Sequence, residues 1–199
     1  MASVPGTPTL PYELRFDAGR VCLDLLATGH PGDRLGSPEV LRAWIVGSGL
    51  VPVGTPLGHA DAGWVGEFRE LRAVVGALVE GQLDARPVHD AVLVRLNDLA
   101  RPSPPAPGVV RAADGSLVRA LDGRPECAGL LGAVARDAVE LLTDPVARAA
   151  LRRCAGDNCL LVYVDTSRGR RRRWCSSEVC GNRERVARHR RRAAALARA

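Results

Sequence analysis

The chain has 199 residues, of which 46% are hydrophobic, 25% are charged and only 4% are aromatic. This length predicts one large domain or two small ones, with a core built from leucine, valine and alanine. All 28 basic residues are arginines, a bias typical of high-GC bacterial genomes. No segment has the length and hydrophobicity of a membrane span, and the N-terminus carries no signal-peptide pattern, so we expect a cytoplasmic protein with no membrane partner.

Most of the chain before the last fifty residues is predicted to be helical, because apolar residues recur at helical spacing between capping signals. A helix is predicted over Arg20–Thr28. Ser37 followed by Pro38 marks the start of the next helix, whose apolar stripe is Val40, Leu41, Trp44 and Ile45. Asp61 opens the helix with the strongest apolar stripe, and we expect Gly81 to end this helix. Its stripe is Trp64, Phe68, Leu71, Val75 and Leu78. The other predicted helices start at Pro87, with Val88, Val92, Leu96 and Leu99 facing the core, at Glu126 (to Thr143), with Leu130, Leu131, Val134, Leu141 and Leu142 apolar, and at Asp144–Pro145 (to Arg153).

One β-hairpin is predicted within this helical stretch. Asp114–Gly115 is a two-residue turn signal, and the short apolar segments Val109–Arg111 and Leu117–Arg119 flank it. We expect this hairpin to be the only sheet of the N-terminal domain.

Four of the six cysteines form two close pairs near the C-terminus. Cys154 and Cys159 have four residues between them, Cys175 and Cys180 also have four, and fifteen residues separate the pairs. This spacing predicts a four-thiolate zinc site. Four thiolates leave no open position on zinc, so we expect one structural ion that activates no water. Two disulfides are the alternative, which a reducing compartment disfavours.

The residues between and after the pairs predict the rest of a zinc finger. Leu160–Val164 is rich in β-forming residues, Asp165–Gly169 has turn residues, and Arg170–Trp174 is expected to return as a second strand. After the last cysteine, Asn182 is predicted to cap a helix that begins at Arg183. This order of elements is typical of a treble-clef-like finger, with a ribbon-like finger as the alternative.

The predicted fold class is therefore mainly α, in two domains. Residues 1–145 are expected to form a helical domain with one small β-hairpin. Residues 146–199 are expected to form a small treble-clef-like α+β zinc finger with a basic C-terminal helix.

Several short motifs resemble a known family. The strings VDTS (Val164–Ser167), RRWC (Arg172–Cys175) and CGNR (Cys180–Arg183) are similar to the CGNR-type zinc finger. Upstream, GRVCLDLLATG (Gly19–Gly29) resembles the opening of the ABATE domain. In that family the finger closes a chain that begins with a helical domain assigned to stress-induced transcription regulators. The resemblance therefore implies a metal-binding regulator of a stress response.

Charge is divided unevenly along the chain. From Leu151 to Ala199 there are 14 arginines and four acidic residues, a net charge of +10, whereas the whole chain carries +6. A basic tail on a neutral-to-acidic body predicts a polyanionic partner, and arginine binds phosphates and guanine edges with two hydrogen bonds. The candidate nucleic-acid-binding residues are Arg170, Arg171, Arg172, Arg173, Arg183, Arg185, Arg188, Arg191 and Arg192.

The first functional hypothesis is a DNA-binding transcription regulator, in which the N-terminal domain senses a signal or dimerises and the finger holds double-stranded DNA. Arg183 is the candidate for reading a base, with hydrogen bonding to the first cysteine loop as its competing role. The alternatives are an RNA-binding or ribosome-associated finger, and a zinc-stabilised module for an acidic protein partner. No catalytic motif is present, so no enzyme activity is expected. A homodimer through the N-terminal domain and an unknown small-molecule effector are compatible with the first hypothesis.

Overall fold

The structure is a computed structural model that describes residues 14–196, with side chains up to Arg191. The first 13 residues of the predicted N-terminal domain and the side chain of Arg192 lie outside it. The elements are α1 (Val21–Ala27), α2 (Pro38–Gly47), α3 (Ala62–Leu83), α4 (Asp90–Ala100), β1 (Pro107–Arg111), β2 (Leu117–Leu121), α5 (Cys127–Thr143), α6 (Pro145–Arg148), β3 (Leu151–Arg153), β4 (Val162–Val164), a π-helical turn (Ser177–Gly181) and α7 (Asn182–Leu196). The predicted mainly α class is confirmed.

The helices of the N-terminal part pack around a core of aliphatic side chains with few aromatic rings. Helices α1, α4 and α5 all contact α3, whose Phe68 and Leu71 are completely buried. The ring of Phe68 meets Trp44 of α2 edge to face, with centroids 5.8 Å apart. Leu130 and Val134 of α5 are fully buried too. These are the residues of the predicted apolar stripes, so helical spacing identified the core correctly.

Two predicted caps begin their helices as expected. The Ser37 hydroxyl accepts a hydrogen bond from the backbone N–H of Val40, and the Asp61 carboxylate accepts one from the N–H of Trp64. Each side chain satisfies a backbone donor that the first helical turn leaves without a partner. The prediction that Gly81 ends α3 is wrong, because α3 continues to Leu83.

The role of Gly81 is to make room for the next segment. A side chain there would collide with Val88, which precedes α4. The prediction that α4 begins at Pro87 is also wrong: the helix begins at Asp90. It begins there because Nδ1 of His89 accepts a hydrogen bond from the N–H of Ala91, 3.1 Å away, and so caps the helix.

The predicted hairpin is present. Strands β1 and β2 pair antiparallel around Asp114–Gly115, with Val110 opposite Val118. Gly115 has a φ of +85°, the left-handed conformation that a tight turn needs and that glycine adopts at little cost.

The predicted helix from Asp144–Pro145 to Arg153 is wrong beyond its first turn. Helix α6 ends at Arg148, and Leu151–Arg153 forms strand β3, which pairs antiparallel with β4. Residues Leu151–Arg153 form a strand and not a helix because pairing with β4 buries Leu151 and Val164 opposite each other. The cysteine-containing segment is thus entered through a strand.

The same hydrophobic cluster extends from the helices into this C-terminal segment. Tyr163 is completely buried and Val164 is largely buried, both within the cluster that contains Leu25 of α1. The backbone N–H of Val164 donates to the carbonyl of Ala18, just before α1, over 2.9 Å. Strand β4 is therefore packed against α1.

No helix in the described range 14–196 combines the length and the apolar character needed to cross a membrane.

Candidate metal centre

The four cysteines of the predicted site come together. Cys154 follows β3, Cys159 precedes β4, Cys175 precedes the π-helical turn and Cys180 lies within that turn. Their Sγ atoms all lie within 4.8 Å of one another. Cys175 Sγ is 3.7 Å from Cys159 Sγ and 3.6 Å from Cys180 Sγ. A tetrahedron with Zn–S bonds of about 2.3 Å has edges of about 3.8 Å, so the sulfurs are placed to bind one ion.

None of the six cysteines forms a disulfide, so the disulfide alternative is not realised. Burial raises the pKa of Cys159 to about 11, and burial raises that of Cys175 as well. At Cys154 burial opposes ionisation, but N–H donors of Cys175 and Gly156 to its sulfur outweigh it and lower the pKa. Four clustered thiolates therefore need a cation, and zinc is the ion that an all-thiolate set fits best. These cysteines would hold one structural zinc.

Hydrogen bonds orient the sulfur atoms. Cys154 Sγ accepts the N–H groups of Gly156 at 3.4 Å and of Cys175 at 3.3 Å. The guanidinium of Arg15 donates to Cys175 Sγ at 3.3 Å and pairs with Asp17 at 2.6 Å. Such outer contacts fix ligand geometry and offset the negative charge of the thiolates.

The first cysteine loop approaches the site closely at Gly156. A Cβ atom added there would lie 3.2 Å from Cys180 Cβ and 3.3 Å from Cys180 Sγ. Any other residue would push against the metal ligands. By contrast, a Cβ at Gly181 of the CGNR string would make only ordinary contacts, at 3.4 Å or more.

The segment Arg170–Trp174 does not form the predicted return strand. It is held instead by single hydrogen bonds: the hydroxyl of Tyr163 donates to the Arg172 carbonyl at 2.6 Å, and the Arg173 carbonyl accepts the N–H of Ala155 at 2.8 Å. The finger therefore lacks the predicted hairpin, and its strand β4 pairs with β3, which precedes the first cysteine.

Asp165 organises the turn between the cysteine pairs. Its buried carboxylate accepts the backbone N–H groups of Ser167 at 2.9 Å and Arg172 at 3.0 Å. Hydrogen bonds from Ser167 and Arg172 lower its pKa. Sequence reasoning placed Asp165 in a turn without assigning this role, although an aspartate two residues before a serine is a signal for such a turn.

The start of α7 also differs from the prediction. Ser176 is the N-cap, since its hydroxyl accepts the N–H groups of Glu178 and Val179. Asn182 has helical dihedrals, so it lies inside a continuous helical segment and does not cap it. Cys180 is therefore anchored within a helical turn that continues directly into α7.

The side chain of Arg172, one of the predicted nucleic-acid contacts, is instead engaged in contacts within the protein. Its guanidinium lies over the Tyr163 ring, 4.5 Å from the centroid, and donates to the carbonyls of Trp174 and Cys175 and to that of Asp17. We therefore remove Arg172 from the candidate contacts and assign it to the scaffold of the finger.

The other candidate arginines with described side chains are exposed. The guanidinium of Arg173 lies 5.4 Å from the centroid of Trp174. On α7, Arg185 donates to the Ser177 carbonyl at 3.4 Å and Arg191 pairs with Glu184 at 2.7 Å. The side chains of Arg170, Arg171, Arg183 and Arg188 form no hydrogen bond or ion pair with any described residue.

Arg15 and Asp17 are site residues that sequence reasoning missed. They contact Cys175 and Arg172, which lie about 160 and 155 positions further along the chain. No local pattern marks them, because their role depends on how the N-terminal segment meets the finger.

A zinc finger of four cysteines, packed on a helical N-terminal part, defines the class of this protein. The CGNR zinc finger model matches residues 150–193, and the ABATE model, described as "Putative stress-induced transcription regulator", matches residues 19–145. The chain therefore belongs to the ABATE family and carries a CGNR zinc finger. No curated protein shows a match to it.

Proposed function

We propose that this protein is a DNA-binding transcription regulator, a binding protein with no enzymatic role, and that its finger is the part that contacts DNA. The observation that carries the proposal is how its arginines are paired. In the helical part, arginines such as Arg20, Arg69 and Arg95 form ion pairs with carboxylates, and Arg124 is an exposed arginine without a partner among the described residues. In the finger, Arg170, Arg171, Arg183 and Arg188 are exposed and have no partner among the described residues.

Unpaired cations at this density repel one another, so an external polyanion would stabilise them. Two groups are available: Arg170, Arg171 and Arg173 beside the second cysteine pair, and the exposed arginines of α7. The zinc-held turn makes the start of α7 rigid, which lowers the entropy cost of binding. The family description favours DNA over RNA.

Arg183 remains our candidate for base recognition. It is exposed in the first turn of α7, and no hydrogen bond ties it to the first cysteine loop in the described structure. The competing structural role for Arg183 thus has no contact to support it. A base contact made by two hydrogen bonds contributes about 1–3 kcal/mol of discrimination.

The test is a salt series on the zinc-loaded full-length protein, using duplex fragments that it selects from genomic DNA. We expect log affinity to fall with log salt by about 0.9 for each phosphate contacted. Arg188→Gln should weaken binding to every sequence and reduce the slope by about one. Arg95→Gln, which removes an arginine paired with Glu70, is the matched control and should change neither.

The same series separates the alternatives. Arg183→Ala should alter base preference while leaving zinc content unchanged. Tighter binding to RNA of matched sequence would replace DNA by RNA as the partner. Affinity that does not depend on salt would contradict nucleic-acid binding and favour a protein partner.

A further inference from the structure

The β-hairpin of the helical part leaves apolar side chains exposed on both of its faces. On one face Val109 is 68% exposed and Leu117 is 65% exposed, and on the other Val110 and Val118 are also exposed. An isolated two-stranded hairpin is only marginally stable in water, and further strands are needed to cover such residues. The hairpin therefore resembles an incomplete sheet.

The base of the hairpin is fixed to the rest of the protein. Leu121 packs against the core, and the N–H of Asp122 donates to the Ala106 carbonyl at 2.9 Å. The guanidinium of Arg119 donates to the carbonyl of Gly49, just after α2, at 3.0 Å. The strand edges are thus held in a defined position, which lowers the entropy cost of pairing with another strand.

The two outer edges of the hairpin differ in what they offer. The N–H of Ala112 donates to the Ser116 carbonyl at 2.8 Å, and the hydrogen-bonded pairs of an antiparallel ladder alternate from there. The residues of β2 whose backbone groups point away from β1 are therefore Leu117, Arg119 and Leu121. The outer edge of β1 begins at Pro107, which has no N–H to donate. Of the two strands, β2 offers the complete row of donors and acceptors, and such an edge is a template for another strand.

The charges at the two ends of β2 are suited to a second copy of the same strand. Antiparallel pairing centred on Arg119 would place Leu117 of one copy beside Leu121 of the other. The same pairing would bring Asp114 in the turn near Arg124 of the other copy, twice in one dimer. Asp114 and Arg124 are both exposed, and Arg124 has no partner among the described residues. Opposite charges across neighbouring strands stabilise their pairing.

The same charges disfavour the neighbouring registers. Sliding one strand by two residues in either direction would bring Asp114 near Asp122 or Glu126 of the other copy, and like charges across strands are destabilising. In the favoured register the two Arg119 side chains would be neighbours, but each is held by the Gly49 carbonyl of its own copy. Charge complementarity therefore selects the register centred on Arg119.

We propose that the protein forms a two-fold symmetric dimer in which β2 pairs antiparallel with β2 of a second copy and completes a four-stranded sheet. The pairing would add about six backbone hydrogen bonds and would cover part of Val118 with Ala120 of the other copy. Strands of five residues bury less than the standard interface of about 800 Å² per partner. We therefore expect a dimer that dissociates on dilution.

The dimer has a consequence for DNA recognition, which rests on the proposed function. A two-fold dimer would present two fingers to one duplex, and such dimers bind two half-sites of a palindromic sequence. Duplexes selected from genomic DNA should then contain an inverted repeat. The dimer itself is measured without DNA, so failure of DNA binding would leave that measurement decisive.

Sedimentation equilibrium of the zinc-loaded full-length protein over a range of concentrations tests the dimer. We expect a reversible equilibrium between monomer and dimer. Leu117→Pro should raise the Kd of the dimer by about tenfold or more, because it removes an outward N–H from each copy and leaves the ladder between β1 and β2 intact. Val109→Pro is the matched control, because it removes an outward N–H from the opposite edge at a similarly exposed residue. It should leave the Kd unchanged.

Charge variants test the register without a proline. Asp114→Asn and Arg124→Gln should each raise the Kd several-fold, and the double variant should have no larger effect than either alone, because the two side chains form one interaction. Asp114→Asn keeps the side-chain oxygen that accepts the N–H of Ser116 at 2.9 Å, so the turn is retained. A monomer at every concentration, equal weakening by Leu117→Pro and Val109→Pro, or additive effects of the two charge variants would overturn the proposal.

Discussion

The helical part and the finger are each stabilised by a different kind of interaction. The helices bury long aliphatic stripes, and residues such as Phe68 and Val134 have no exposed surface. The finger has strands of only three residues. It relies on four thiolates, on hydrogen bonds that the Asp165 carboxylate accepts, and on hydrogen bonds that Tyr163 and Arg172 donate. A large apolar interface tolerates the loss of any one contact, whereas a small metal-dependent unit does not.

The largest expected effect comes from removing a metal ligand. Cys175→Ser should abolish zinc binding and unfold the finger, because structural zinc contributes about 10–16 kcal/mol to the folding of finger peptides at neutral pH. Metal analysis and circular dichroism would measure zinc content and helix content. Cys127→Ser, in α5 and outside the cluster, is the control and should keep its zinc. One zinc per chain in Cys175→Ser would show that three thiolates are enough.

Removing the finger tests whether the helices are independent of it. A chain ending at Asp144 should stay helical but melt at a lower temperature. It loses Leu161 and Val164 from the shared cluster, and each fully buried aliphatic side chain contributes about 1.5–3 kcal/mol. Thermal melts followed by circular dichroism would measure the shift. If the shortened chain has no cooperative transition, the two parts are a single folding unit and the predicted domain boundary is wrong.

Substitutions at two neighbouring arginines should distinguish a role in stability from a role in DNA binding. Arg172→Ala should reduce stability by about 2–4 kcal/mol, because its charge-assisted hydrogen bonds and its contact with Tyr163 are lost. Arg171→Ala removes an exposed side chain and should change stability by less than about 0.5 kcal/mol.

For the proposed binding of DNA we expect the opposite order, in which Arg171→Ala weakens binding in the salt series more than Arg172→Ala does. Denaturant titrations and binding assays on the same two proteins would compare them. Equal stability of the two variants would refute the scaffold role of Arg172.

The smallest expected effect is a difference in stability and zinc affinity between substitutions at two glycines of the finger. Gly156→Ala should cost about 1–2 kcal/mol and weaken zinc binding, because its Cβ would press on Cys180. Gly181→Ala should be close to neutral, because the added Cβ makes ordinary contacts within a helical turn. Competition with a chelator would rank the two zinc affinities. A reversed ranking would mean that the glycine of the CGNR string has the stricter steric role.

These contrasts also explain what could be predicted from the sequence. The stripe through Phe68 and the cysteine spacing are local patterns, and both gave correct predictions. Strand β3 was predicted as helix because its partner, Val162–Val164, lies beyond the first cysteine pair. Three residues are too few for a periodic signal, and their strand pairing depends on tertiary context.

The role of Arg172 was missed for a related reason. A run of four arginines, Arg170 to Arg173, has no internal pattern that distinguishes one member from another. Only the position of the buried Tyr163 ring and of the Asp17 carbonyl separates Arg172 from its neighbours. Those positions depend on contacts between distant parts of the chain.

The hydrogen bond between Ala18 and Val164 has a consequence for synthesis of the protein. The chain leaves the ribosome from its N-terminus, so α1 emerges long before the strand that completes its surroundings. Until then, part of the apolar surface around Leu25 remains without Tyr163 and Val164. Contacts this distant in sequence form late and leave nascent chains prone to aggregation. Capture of zinc by the last cysteine pair would then be the step that ends this vulnerable interval, so metal supply would govern the yield of folded protein.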